Sequence, residues 1–180
     1  DFGQKTDVAD ENPEVVAAHK EFYKKWYSSV GESFGSFPYI SVGIEEEVLL
    51  SAMDVFPVDA NKSGKAVWNQ SGVKKAQLNH GVWKIKVEEK ANYKISLYRW
   101  PPSEKIPILD APAKGTAMDV SEAYIKIQDF EKTKAVKSKD VYVSFETELG
   151  VGETNLDASF MTDNKKLTSA YFVLIEKLNK

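Results

Sequence analysis

Residues 82–97 read Val-Trp-Lys-Ile-Lys-Val-Glu-Glu-Lys-Ala-Asn-Tyr-Lys-Ile-Ser-Leu. Trp83, Ile85 and Val87 alternate with Lys84, Lys86 and Glu88. Tyr93, Ile95 and Leu97 alternate with Lys94 and Ser96 after a break at Ala91-Asn92. An apolar residue at every second position is the period of a strand with one buried face, and the break between the runs predicts a hairpin. The same alternation recurs at Ile125 and Ile127, at Val141, Val143 and Phe145, and at Leu156, Ala158 and Phe160. The stretch 170–176 is apolar on both faces (Tyr171, Phe172, Val173, Leu174, Ile175), which predicts a central strand. With 38–42 and 47–52 added, about eight strands are expected between 38 and 178, which suggests a sandwich or barrel; of these, an antiparallel β-sandwich, jelly-roll-like (galactose-binding-like), is the expected fold.

Working back toward the N-terminus, the period changes. Asn12-Pro13-Glu14 is a helix start: a capping Asn, Pro at the first helical position and an acid in the first turn. Val15, His19, Phe22, Trp26 and Val30 recur at helical spacing, with Val16, Tyr23 and Tyr27 beside them, and Gly31 closes the pattern. The expected layout is one helix at about 13–30 and a linker within residues 1–37, then a β-domain at 38–180. A stripe this aromatic needs a surface to pack on, so Phe22, Tyr23, Trp26 and Tyr27 are candidates for an interdomain interface.

Composition narrows the function classes. The chain has 180 residues, a net charge of −3, and no dense basic stripe, so a nucleic-acid partner is not expected. It has no cysteine, which removes disulfides, thiolate metal sites and cysteine nucleophiles together. No stretch approaches the ~20 apolar residues of a membrane helix. A start at Asp1-Phe2-Gly3-Gln4 reads as a processed or excised fragment.

Few residues offer chemistry. His19 is expected to pack on the helix and His80 to sit in a turn. Glu45-Glu46-Glu47 reads as a solvated strand start, because consecutive strand residues face opposite ways. Asp59-Ala60-Asn61-Lys62-Ser63-Gly64 copies the opening of a calcium loop, but Gln70 stands where the completing carboxylate belongs, which favours an ordinary turn. Asn61-Lys62-Ser63 and Asn69-Gln70-Ser71 are formal glycosylation acceptors. Two long loops, 53–80 and 100–121, are where function is expected. In or beside them lie Trp68, Gln70, Arg99 and Trp100, the candidate ligand-binding residues: tryptophans to stack on sugar rings, and the chain's one arginine to grip a sulfate or carboxylate. The rival role is packing, with Arg99 paired to an internal carboxylate and the tryptophans in the core or a seam.

A family resemblance adds to this. Residues 1–30, from Asp-Phe-Gly-Gln-Lys-Thr-Asp-Val-Ala through Asn-Pro-Glu-Val-Val to Phe-Tyr-Lys-Lys-Trp-Tyr-Ser-Ser-Val, resemble the segment that closes the catalytic fold of bacterial type I arylsulfatases. There a D-P-G-E-x-x-N-L-A loop leads into an H-P-E-x-V-x-x-L helix, and Phe2 replaces the usual proline. Val82–Val87, Tyr93–Pro101, Trp68-Asn69-Gln70 and Ala170–Val173 resemble the β-rich extension after that helix. The resemblance implies a non-catalytic C-terminal domain in the periplasm or outside the cell, partnered by an upstream sulfatase domain and by sulfated carbohydrate. It also implies a parent sulfuric ester hydrolase that uses formylglycine and calcium. The formylglycine motif C/S-x-P/A-x-R is missing: its nearest approach, Ser36-Phe37-Pro38-Tyr39-Ile40, ends in Ile where Arg is needed. No catalytic residue, metal ligand or cofactor is therefore expected in this chain. The alternatives are a free-standing carbohydrate-binding module and a structural or interaction domain without ligand.

Overall fold

A computed structural model describes residues 2–31, 38–58 and 64–178. They form two compact units, Asp1–Pro38 and Tyr39–Lys180. The first contains one helix, α1 (Pro13–Gly31), in which no residue is buried. Glu14 lies in its first turn, where the helix dipole favours a negative charge. Phe22, Tyr23, Trp26 and Tyr27 are 47–72% exposed, and the Tyr23 ring lies 5.8 Å from those of Trp26 and Tyr27.

The second unit is an antiparallel β-sandwich. Its first sheet contains β1 (Ile40–Val42), β3 (Phe56–Pro57), β4 (Gly81–Val87), β6 (Glu122–Ile127), β7 (Phe130–Ala135), β9 (Gly152–Met161) and β10 (Leu167–Ser169). The main path runs β1-β4-β9-β6-β7, with β3 on β4 and β10 on β9; β1 alone pairs in parallel. The second sheet has the order β2-β11-β5-β8, from β2 (Glu47–Ser51), β11 (Phe172–Leu178), β5 (Ala91–Tyr98) and β8 (Tyr142–Leu149). The inward residues of both sheets meet in one core: Trp83, Ile85, Val87, Ile125, Leu156 and Phe160 from the first, Leu50, Tyr93, Ile95, Leu97, Phe145 and Val173 from the second. Trp83 donates its indole N–H to the Ser51 carbonyl at 2.8 Å, so its one polar atom is satisfied inside.

The predicted hairpin at 82–97 does not form. β4 pairs with β1, β3 and β9, whereas β5 pairs with β11 and β8, so the two strands lie in opposite sheets joined by an arch over 88–90. Alternation marks which face of a strand is buried, and the facing strands of a sandwich carry the same alternation as strands paired side by side. The step from β8 to β9 also changes sheet, as does that from β10 to β11. This repeated switching makes the sandwich jelly-roll-like. Three strands fall outside the sequence expectation: β3, β10 and β7. β7 has only Phe130 half-buried and lies at the sheet edge, where lysines are the usual guard against stray pairing. One of them, Lys134, donates from Nζ to the Ser144 carbonyl of β8 at 2.6 Å.

A candidate ligand groove built by two loops

At one end of the second sheet the two long loops meet. A short helix, α2 (Gln70–Lys74), is started by Asn69, whose side chain accepts from the Gly72 N–H at 3.0 Å. The later loop leaves β5 through Arg99 and Trp100 and makes a single turn at Pro102–Glu104. It then touches the earlier loop, with the Thr116 N–H donating to the Lys74 carbonyl at 2.8 Å.

Arg99 holds the meeting point and is 0% exposed. Its Nη1 donates to the carbonyls of Ile108 (3.3 Å) and Asp110 (3.0 Å); its Nη2 donates to those of Thr116 and Val73, the latter at 3.4 Å. The guanidinium also lies 4.5 Å over the Trp100 ring, whose Nε1 donates to the same Asp110 carbonyl at 3.1 Å. Burial pulls the Arg99 pKa below its ordinary value, while the nearby Tyr171 and Asp110 act the other way. Two expectations are corrected here. Arg99 is not available to grip a ligand anion, because its side chain is buried and both terminal nitrogens are committed to backbone oxygens. It is not paired to an internal carboxylate either; carbonyl dipoles do the neutralising.

Above Arg99 lies a groove of about 300 Å³, lined by Trp100, Phe172, Pro101, Ile106, Pro112 and Val73, with Gln70, Lys74 and Glu104 as its polar groups. Gln70 and Trp100 thus come together in one lining, but Trp100 is only 5% exposed and belongs to the core, the packing role that rivalled stacking. Trp68 stands outside it and is 69% exposed. The residues that sequence reading missed are Phe172, Lys74 and Glu104. Phe172 sits in a stretch apolar on both faces, which hides the fact that it looks outward.

The other chemical candidates resolve simply. His80 Nε2 lies 3.0 Å from Asp157 Oδ2, and the Ser159 hydroxyl donates to the other oxygen of that carboxylate. Glu45, Glu46 and Glu47 are exposed, as is His19. The calcium-loop opening at 59–63, the Asn61 acceptor and Ser36-Phe37 lie outside the described residues. The residues present do not fit the calcium and formylglycine that the sulfatase resemblance implies for a parent enzyme. The nearest formylglycine motif lacks its arginine, and no group of three or more His, Asp or Glu converges among the described residues. Among those residues, no helix is long and apolar enough to cross a membrane.

No protein-family model and no curated protein matches this chain. Several solved structures resemble it at low identity. A ruminal GH26 endo-β-1,4-mannanase aligns with a TM-score of 0.44 and 11% identity, covering 80% of this chain and 28% of that one. The GH26-CBM35 β-(1,4)-mannanase of Podospora anserina aligns at 0.39 and 10%, covering 75% and 28%. The CBM35 module of Cellvibrio japonicus Abf62 aligns at 0.38 and 12%, covering 73% of this chain and 98% of that one. The chain therefore spans less than a third of either mannanase.

Proposed function

We propose that the β-sandwich is a carbohydrate-binding module and that the groove between its two loops receives the sugar. The observation that carries this reading is the groove's lining. A sugar ring has an apolar C–H face and a hydroxylated edge. Phe172 and the two prolines offer apolar surface, with the buried Trp100 as the floor beneath them, and Gln70, Lys74 and Glu104 offer donors and acceptors around it. The Arg99 bonds fix both loops before a ligand arrives, so little ordering entropy is lost on binding. Electrophoresis of the full chain through gels containing different polysaccharides tests the reading. Retardation by at least one of them, weakened by Gln70→Ala and Lys74→Ala, is the expected result. Unretarded migration in every glycan would sink it.

A second reading follows from α1. Its exposed aromatic face suits a segment docked on a larger body, as the arylsulfatase resemblance implies for residues 1–30. In that reading the chain supports a sulfatase catalytic domain lying upstream, with sulfated glycan as substrate and an address in the periplasm or outside the cell. The parent open reading frame decides it: a C/S-x-P/A-x-R motif upstream supports the docking role, and its absence removes it.

A further inference from the structure

The groove opens onto the outer face of the second sheet. Register defines that face. Tyr142, Tyr98 and Phe172 lie side by side across β8, β5 and β11; Ser144, Ser96 and Leu174 form the next row; Glu146, Lys94 and Glu176 form the one after. The neighbours Val143, Leu97 and Val173 are buried in the core on the opposite side of the same strands, so these rows point away from the core. Phe172 belongs both to the first row and to the groove lining, which makes groove and sheet face one surface.

We infer that the same site takes an extended, uncharged glycan chain, running from the groove across the sheet, rather than a single sugar or a sulfated one. This rests on the carbohydrate-binding reading above and adds length and charge to it.

Length follows from the aromatic track. Phe172, half-buried, lines the groove, and Tyr142 continues the surface two strands away; between them Tyr98, itself only 7% exposed, supports Tyr142 with ring centroids 5.1 Å apart. Tyr142 is 43% exposed, which leaves ring surface for a further sugar to stack on. From Trp100 to the Lys94 row is six residues, about 20 Å of extended strand. Polar groups stand along the track as well. Lys94 Nζ bonds Glu176 at 2.8 Å, and the buried Ser96 hydroxyl, on this outer face, has no hydrogen-bond partner among the described residues. A purely apolar protein contact would have little use for an unspent hydroxyl there.

Charge follows from the same rows. Glu146 and Glu176 outnumber Lys94, and Glu47 joins them on β2 opposite Glu176. In the groove Lys74 is offset by Glu104. An acidic face repels a sulfated or uronic chain, and the one arginine that could clamp a sulfate is buried beneath.

The test is calorimetric titration of the full chain with neutral β-linked oligosaccharides, from disaccharide to hexasaccharide, and with chondroitin sulfate oligosaccharides. The series is repeated with Tyr142→Ala, Tyr142→Phe and Gln70→Ala. Affinity for a neutral series should rise with length. Tyr142→Ala should lower it about tenfold for the longest member, equivalent to about 1.4 kcal/mol, and leave the disaccharide unaffected. Tyr142→Phe should keep the stacking and hence the affinity. Gln70→Ala should weaken every length. If Gln70→Ala weakens binding while Tyr142→Ala does not, or if affinity is flat beyond the disaccharide, the extended site is overturned and the groove stands. Preference for chondroitin sulfate overturns the charge assignment. A dimer that Tyr142→Ala dissolves in size-exclusion chromatography would make the face a protein interface and overturn the extended site. Absence of binding to any glycan defeats both readings together.

Discussion

Removing the Arg99 guanidinium would leave the carbonyls of Ile108 and Thr116 without their donor, while those of Asp110 and Val73 keep the Trp100 indole and the Ala76 N–H. Each buried acceptor left unpaired costs about 1–3 kcal/mol. Arg99→Met should therefore destabilise the domain by about 3 kcal/mol or more, a fall in Tm of roughly 6–12 °C for a chain this size. Arg99→Lys should rescue little, because an ammonium cannot reach four oxygens spread across the guanidinium plane. Thermal melts followed by circular dichroism check both. Tyr171, close by, gives a pH prediction. Burial pushes its phenol from 10.0 up to about 12, with the Arg99 charge pulling slightly the other way. A raised folded pKa means that the stabilisation is complete below about pH 10 and is lost as pH climbs toward 12. A shift of that size corresponds to roughly 2–3 kcal/mol. Tyr171→Phe, which gives up the bond to the Gln77 carbonyl and the contact with the Thr168 hydroxyl, should flatten the alkaline fall in denaturation midpoint. Some slope should remain, because burial and the bond to Glu131 also push Tyr124 up to about 12. A lone arginine is conspicuous in a sequence. Its partners here are backbone oxygens, which every residue carries, so their convergence on Arg99 leaves no trace in side-chain identities.

At the scale of elements, β4 begins where space is shortest. A Cβ on Gly81 would stand 2.1 Å from the Phe56 carbonyl oxygen and 2.5 Å from a Val55 methyl. Because the first obstacle is backbone, Gly81→Ala must push β3 off β4, breaking the Phe56–Val82 pairing. A loss of about 2 kcal/mol or more in urea denaturation is expected, with amide exchange accelerating first at Phe56 and at 81–82. Strands with a buried face were readable from alternation, as Trp83-Ile85-Val87 and Val143-Phe145 illustrate. β7 was not, since an exposed edge strand buries almost nothing and so carries no period. Nor could alternation say which sheet β4 and β5 join, because pairing partners are set by contacts distant in sequence. For the groove, loop length pointed to the right segments and to Gln70 and Trp100. The outward turn of Phe172 depends on register, which composition does not encode.

At the scale of the whole molecule, every core residue lies between Val42 and Ile175. Residues 38–180 produced alone should therefore unfold in one cooperative transition, with coincident fluorescence and circular dichroism midpoints. A midpoint well below that of the full chain would mean that the sandwich borrows stability from residues 1–37. The isolated 1–37 peptide should show little helix in water, since a single helix of this length is marginal without a surface to pack on.

The switching of the chain between sheets also dictates a timetable. Trp83 pairs with Leu156 and Tyr98 with Phe172, so strands wait some seventy residues for their partners. β11, the last in chain order of the described strands, occupies the middle of its sheet between β2 and β5. Until it emerges, those two strands have no neighbour to bridge them, and their apolar faces stand open on the nascent chain. Such non-local pairing places folding in the millisecond-to-second range and makes the interval before β11 arrives the period of greatest exposure to chaperones and to aggregation.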